Sequence, residues 1–92
     1  MSLVSAEIIV TGIVQGVGFR YFCLTQARNL NLSGWVKNLS DGSVFSTVEG
    51  EKNIVAQYHS MLKLGSESST VTQAEIIWLP FENKFRKFEI IT

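Results

Sequence analysis

Cysteine, histidine and proline are almost absent from this 92-residue chain, which contains one of each. The lone cysteine, Cys23, excludes an intrachain disulfide and gives no reason to expect an oxidising compartment. The lone histidine, His59, cannot assemble a metal centre by itself. These shortages exclude a disulfide scaffold and a histidine-based metal site, so the chemistry of the chain must come from other residues.

An excess of one charge and long apolar runs are missing as well. Eight basic residues balance eight acidic ones, so no overall field would attract nucleic acid or an anionic membrane. The local basic cluster of Lys84, Arg86 and Lys87 is typical of a solvated strand edge. No apolar stretch has the length of a bilayer span, and residues 1–5 lack the features of a signal peptide. We expect a cytoplasmic monomer that binds neither nucleic acid nor a membrane, with residues 1–3 either native or left over from cloning.

Hydrophobic periodicity divides the chain into strand and helix patterns. Asp41-Gly42 between two strand patterns indicates a hairpin, and Gly65 ends the second helix pattern. The predicted strands are 6–13, 35–38, 43–49, 71–79 and 85–91, and the predicted helices are 20–31 and 52–64. The order β-α-β-β-α-β with an extra terminal strand predicts an α+β protein, a ferredoxin-like α/β sandwich. We expect one domain over residues 1–92, with an antiparallel sheet of four to five strands and both helices on one face.

The glycine-rich break between the first strand and the first helix has the features of an anion site. Residues 10–20 read VTGIVQGVGFR, so a strand ends at glycines and a helix opens with an arginine. Gly16 and Gly18 permit positive φ and the close approach of a ligand to the backbone. Amide groups at such a turn and at a helix N-terminus point at one spot, and Arg20 adds a fork of donors that matches phosphate oxygens. We therefore expect a phosphate group to bind there.

Two motifs in this chain resemble the signatures of the acylphosphatase family. Residues 12–20 (GIVQGVGFR) resemble the first signature, and residues 34–44 (GWVKNLSDGSV), followed by Gly50, resemble the second. The resemblance covers essentially the whole chain. It implies hydrolysis of the carboxyl–phosphate anhydride bond of acyl phosphates to a carboxylate and inorganic phosphate, with no metal and no organic cofactor. Inorganic phosphate or sulfate is expected to bind the same loop as the substrate.

The resemblance also assigns roles to individual residues. It implies that Arg20 and Asn38 are catalytic: the arginine binds the phosphoryl group and the asparagine orients the attacking water. It further implies that loop amides hold the phosphoryl group, here those of Gln15, Gly16, Val17, Gly18, Phe19 and Arg20. The scarcity of acid and base side chains agrees with this chemistry. A carboxylate leaves without a proton because its conjugate acid has a pKa of roughly 4, whereas an alkoxide does not.

Each of these residues also has a structural interpretation. The glycines, Gly12 included, could serve only to shape a turn. Arg20 could pair with a structural carboxylate such as Glu89, and Asn38 could cap the hairpin through an Asx-turn. Trp35 lies beside the site by the family resemblance, although core packing explains a strand tryptophan equally well.

Two other functions stay open beside hydrolysis. Acylphosphatase-like domains also occur in larger proteins that handle carbamoyl phosphate, so the chain could be a non-catalytic or accessory anion-binding module. An RNA-binding ferredoxin-like domain is the more distant alternative, with Phe45 as a stacking residue on the open face of the sheet. We expect Cys23 to be an inert core thiol and His59 to be partly packed. The chain ends in Ile91-Thr92 where many family members have a basic–aromatic pair, which leaves a contact between this end and Arg20 open.

Overall fold

Residues 2–92 form a five-stranded sheet with two helices on one of its faces. The computed structural model describes residues 2–92, so Met1, within the segment 1–3 considered above, lies outside the described residues. The elements in chain order are β1 (Leu3–Ile13), α1 (Phe19–Asn29), β2 (Ser33–Asn38), β3 (Val44–Glu51), α2 (Lys52–Leu64), β4 (Thr70–Pro80) and β5 (Phe88–Ile90). The strands lie side by side in the order β4-β1-β3-β2-β5. This arrangement confirms the predicted ferredoxin-like α+β fold.

The core lies between the sheet and the helices. Alternate residues of β1, namely Ala6, Ile8 and Val10, are fully buried on the face that the helices cover. Both helices point their apolar stripes at this face, with Phe19, Cys23 and Ala27 from α1 and Val55, Tyr58 and Leu62 from α2. The prediction that both helices pack on one face is therefore confirmed. Neither helix within residues 2–92 has the length and apolar character that a bilayer span requires.

The N-terminal end of the described chain takes part in the fold. β1 begins at Leu3, three residues earlier than the strand predicted from residue 6, and Leu3 pairs with Glu51. The carbonyl of Ser2 accepts a hydrogen bond from the backbone amide of Lys52 at 2.9 Å. Residues 2–5 thus extend the sheet.

The last strand corrects one part of the sequence prediction. A strand over 85–91 in an antiparallel sheet was expected, but β5 is only three residues long and runs parallel to β2, with Phe88 beside Gly34. The reason lies in residues 81–87, here called the crossing segment, which connect β4 at one edge of the sheet to β5 at the other. Because the chain turns back after crossing, β5 runs opposite to β4 and therefore in the direction of β2.

A buried carboxylate holds the crossing segment against the sheet. The side chain of Glu49 is 2% exposed, and its oxygens accept hydrogen bonds from the backbone amides of Glu82 at 2.9 Å and Lys84 at 3.0 Å. Burial of a carboxylate is costly unless donors surround it, and two amide groups supply them here. Glu49 therefore fixes the path by which the chain reaches β5.

Candidate active site

The topology brings three chain segments together at one end of the sheet. β1, β2 and β5 run in the same direction, because β1 and β2 are both antiparallel to β3 and β5 is parallel to β2. Their C-terminal ends therefore meet, together with the loop that follows β1 and the first turn of α1. A cavity of about 230 Å³ lies at this junction, lined by Val14, Gly16, Gly18, Phe19, Arg20, Tyr21, Asn38 and Ile90.

The glycine loop (residues 14–18) supplies the backbone part of this cavity. Gly16 and Gly18 have φ values of 74° and 76°, a conformation that side-chain-bearing residues adopt rarely. A Cβ atom built at either position would meet no atom of the described chain within 4 Å, so both glycines face open space. Gly12 differs, because a Cβ there would collide with the backbone of Thr70. The purely structural interpretation therefore fits Gly12, which lies at an irregularity in the pairing of β1 with β4.

The first turn of α1 presents positive partial charge to the cavity. Its first intrahelical hydrogen bond runs from the amide of Phe22 to the carbonyl of Gly18 at 3.0 Å, so the amides of residues 19–21 have no acceptor within the helix. Gly18 provides no side-chain cap, and the first turn contains no acidic residue. The aligned peptide dipoles leave this helix end favourable for an anion.

Arg20 adds a full positive charge at the same place. The residue is half-buried in the first turn of α1 and makes no ion pair with any of residues 2–92. Glu89, the structural partner considered from the sequence, lies near Lys87 instead, with 3.5 Å between the carboxylate and the ammonium group. An arginine beside the positive end of a helix is unfavourable without an anion, so the geometry leaves room for an external one.

Asn38, the last residue of β2, reaches the cavity from the sheet. Its side-chain oxygen Oδ1 is buried and has no hydrogen-bond partner within the described chain. The role of hairpin cap, the structural alternative for Asn38, belongs to Asp41, whose Oδ1 accepts from the amide and the hydroxyl of Ser43. These bonds, the hydroxyl's first, hold the pKa of the Asp41 carboxyl below its usual value. A buried acceptor without a donor costs roughly 1–3 kcal/mol, which a donor supplied by a ligand would relieve.

Gln15 connects the glycine loop to the β2–β3 hairpin. Its side-chain nitrogen donates to the carbonyls of Leu39 at 2.7 Å and Ser43 at 2.9 Å. Val17 packs against the hydrophobic core. The side chains of Gln15 and Val17 are thus engaged elsewhere, and neither residue lines the cavity. The predicted contact of these two residues with an anion rests on their backbone amides. The Gln15 bonds hold Asn38 and the loop in a fixed relation.

Several residues that the sequence analysis considered do not line the cavity. Trp35 and Phe45 pack on each other on the sheet face opposite the helices, with ring centroids 5.4 Å apart. Trp35 therefore neither lines the cavity nor enters the core under the helices. Cys23 is buried, and burial raises the pKa of its thiol to about 12, as expected for an inert thiol. His59 is half-buried, with its Nε2 atom 2.7 Å from the carbonyl oxygen of Ala74.

The sequence reasoning did not find all of the cavity lining. It missed Val14, Tyr21 and Ile90, although Tyr21 follows Arg20 directly and Ile90 shares a strand face with Phe88. The parallel placement of β5, which brings Ile90 beside β2, carries no local sequence signal. The C-terminus reaches this region too, since the amide of Ile91 donates to the carbonyl of Val36 at 2.9 Å.

Comparison with known proteins agrees with the two sequence motifs. The acylphosphatase family model matches residues 6–90. The chain is 44% identical to an acylphosphatase from Bifidobacterium longum over 86% of its own length and 81% of the relative, and 41% identical to one from Archaeoglobus fulgidus over 96% and 98%. The crystal structure of acylphosphatase from Bacillus subtilis superimposes with a TM-score of 0.93 at 38% identity, covering 99% of this chain and 100% of that one. The chain therefore belongs to the acylphosphatase family, hydrolases that split acyl phosphates into a carboxylate and inorganic phosphate.

Proposed function

We propose that the cavity at the glycine loop binds the phosphoryl group of an acyl phosphate and that Asn38 positions the water that attacks it. One observation carries the proposal. Within the described chain, Arg20, a cation without a carboxylate partner, and Asn38, whose buried Oδ1 atom has no donor, line the same cavity of about 230 Å³. A phosphoryl group and a water molecule are the complements of these two groups.

In this proposal the phosphoryl group is bound by backbone amides and by Arg20. The amides of residues 15–20 surround it, and the glycines leave space for close approach. The guanidinium group offers two parallel donors to phosphate oxygens. Charge that spreads over these oxygens in the transition state then lies among donors that are already in place, which is the main contribution a protein makes to phosphoryl transfer.

Asn38 acts on the water in the second half of the proposal. Its Oδ1 accepts a hydrogen bond from the water and so turns a lone pair of the water oxygen towards phosphorus. The new P–O bond forms as the bond to the acyl oxygen breaks, the carboxylate leaves with the electron pair, and the proton released by the water stays with the product as H₂PO₄⁻. No carboxylate, imidazole or thiol lines the cavity in the part of the chain that the structure describes. A leaving group that needs no proton is consistent with that lining, since a carboxylate departs as the stable anion.

The proposal also covers the domain organisation, oligomeric state, location and cofactor requirement of the protein. We propose a single-domain monomer, with residues 1–92 as that domain, that works in the cytoplasm without a metal or cofactor on a small-molecule acyl phosphate. The single core between one sheet and two helices supports one folding unit. The buried thiol of Cys23 is compatible with a reducing compartment.

The decisive experiment measures hydrolysis of benzoyl phosphate in the presence of a chelator. We expect full activity with the chelator and a loss on the order of 10²-fold or more in Arg20→Gln, because an aligned charge is removed from the transition state. Arg86→Gln, which changes an exposed arginine of the crossing segment, is the matched control and should keep wild-type rates. Inorganic phosphate should also raise the melting temperature of the wild type but not that of Arg20→Gln.

Two outcomes contradict the proposal. Full activity in Arg20→Gln would remove the arginine from the mechanism, and loss of activity on chelation would show that a metal ion takes part.

A further inference from the structure

Tyr21 combines high exposure with a position at the cavity. Its side chain is 68% exposed, yet it contributes to the lining beside Arg20 and Gly18. A phosphate group needs charge and hydrogen-bond donors from its surroundings, and the face of the Tyr21 ring provides neither; only the phenolic hydroxyl at its tip is a donor. The ring therefore suits the other part of an acyl phosphate, the organic group attached to the leaving carboxylate.

The geometry of α1 determines on which side of the cavity Tyr21 lies. Phe19 is 1% exposed and points at the sheet. Tyr21 follows two residues later, which places it roughly 200° around the helix and therefore on the side away from the sheet. Asn38 belongs to β2 and reaches the cavity from the sheet. The two side chains thus approach the cavity from opposite sides.

The opposite positions of Asn38 and Tyr21 matter because phosphoryl transfer proceeds by in-line displacement. The attacking and leaving oxygens lie on opposite sides of phosphorus in phosphoryl transfer. If Asn38 holds the water on the sheet side, the acyl group leaves towards the outer side of α1, the side on which Tyr21 lies. An apolar or aromatic acyl group would there cover part of the exposed ring.

We propose that Tyr21 is the residue that recognises the acyl group, and that it favours acyl phosphates with an aromatic or large apolar acyl part over those with a small one. This inference rests on the proposed function, since it takes the water position from Asn38. Tyr21 contacts the substrate outside the reacting bond, so it adjusts selectivity and leaves the phosphoryl chemistry to the cavity.

The test compares kcat/KM for benzoyl phosphate and acetyl phosphate in the wild type, Tyr21→Ser and Tyr21→Phe. The quantity to follow is the benzoyl-to-acetyl ratio of each variant divided by that of the wild type, because the intrinsic reactivities of the two substrates cancel. We expect this ratio to fall about threefold to tenfold in Tyr21→Ser, the size of an aromatic contact, and to stay near one in Tyr21→Phe. Inhibition by inorganic phosphate should be the same in all three proteins, because phosphate carries no acyl group.

Leu64→Ser supplies the matched control, since Leu64 is 79% exposed at the end of α2 and does not line the cavity. An unchanged ratio in Tyr21→Ser, an equal loss on both substrates, or the same fall in Leu64→Ser would overturn the inference. The proposed function is tested separately by Arg20→Gln, which should lose activity on both substrates alike.

Discussion

The polar groups at the two ends of the sheet differ in whether the protein itself supplies their partners. At the end with the glycine loop, Arg20 makes no ion pair with residues 2–92 and the Oδ1 atom of Asn38 meets no donor from them. At the other end the carboxylate of Glu49, equally a buried polar group, accepts two backbone hydrogen bonds from the crossing segment. Both ends are built from strand termini and a connecting loop, so local structure alone does not separate them.

This difference distinguishes polar groups that stabilise the fold from polar groups that are free to bind a ligand. A polar group whose partners are all within the protein contributes to folding, because breaking its bonds leaves buried groups unpaired. A buried polar group left without a partner lowers stability, and at a cavity a ligand can supply the missing bond. Substitutions at the glycine-loop end should therefore change activity more than stability, and substitutions at the crossing-segment end should do the reverse.

Asn38→Ala should give the largest effect of the three substitutions that test this comparison. We expect kcat to fall on the order of 10²-fold with KM little changed, because the water is misplaced only in the transition state. The free energy of unfolding should not fall and could rise, since the variant removes an acceptor that lacks a donor. Steady-state kinetics on benzoyl phosphate and urea denaturation measure the two quantities.

Asn53→Ala is the control for this substitution, because Asn53 is an exposed amide on α2. A large rise in KM at unchanged kcat would argue against water placement by Asn38. A clear loss of stability would show that its side chain has a structural partner after all.

Glu49→Gln should give the reverse result at the other end. The carboxamide keeps one oxygen acceptor but places an NH₂ group against a backbone amide, so one of the two bonds is lost. We expect the free energy of unfolding to fall by about 1–3 kcal/mol, with kcat per folded molecule unchanged. Urea denaturation measures the free energy of unfolding, and steady-state kinetics at urea concentrations too low to unfold the protein measure kcat.

Glu75→Gln, at an exposed position of β4, is the matched control and should leave the stability near that of the wild type. If Glu49→Gln lost activity while its stability held, the crossing segment would belong to the site and the contrast between the two ends would fail.

The sequence predicts the glycine-loop end of the sheet much better than the end with the crossing segment. Periodicity and glycine positions predict the order of the elements up to β4, and the hairpin at Asp41-Gly42 is confirmed by the hydrogen bond from the amide of Leu39 to the carbonyl of Ser43 at 2.9 Å. These signals are local, since a strand, a helix or a turn is encoded in neighbouring residues. The roles of Arg20 and Asn38 come from two contiguous motifs and stay predictions.

What the sequence does not predict depends on long-range pairing. The parallel placement of β5 follows from the path of the crossing segment, and that path depends on Glu49, which lies 33 and 35 residues before its two partners. The backbone amide of Gln15 belongs to the predicted anion site, but the contacts of its side chain, to carbonyls 24 and 28 residues away, have no local sequence signal. Such contacts exist only once the chain has folded, so no periodicity reveals them.

Asp41→Ala should give the smallest effect of the three. It tests whether nearness to the cavity, or the presence of a hydrogen-bond partner, decides if a substitution changes activity or stability. Asp41 is exposed near the glycine-loop end, but its Oδ1 atom accepts two hydrogen bonds from Ser43. Its pKa is held below the usual 3.8, chiefly by the Ser43 hydroxyl, so the ionised form contributes stability above that pH. This contribution disappears as the pH falls through the lowered pKa of the folded state.

The stability difference between the wild type and Asp41→Ala should accordingly be small near neutral pH and shrink on acidification, while kcat stays near the wild-type value. Urea denaturation across a pH series measures it, with Ser40→Ala in the same turn as the control. If kcat instead fell as in Asn38→Ala, nearness to the cavity would decide the effect of a substitution. If only the pH-dependent stability changed, the presence of a hydrogen-bond partner would decide the effect of a substitution, as the contrast between Glu49 and Asn38 implies.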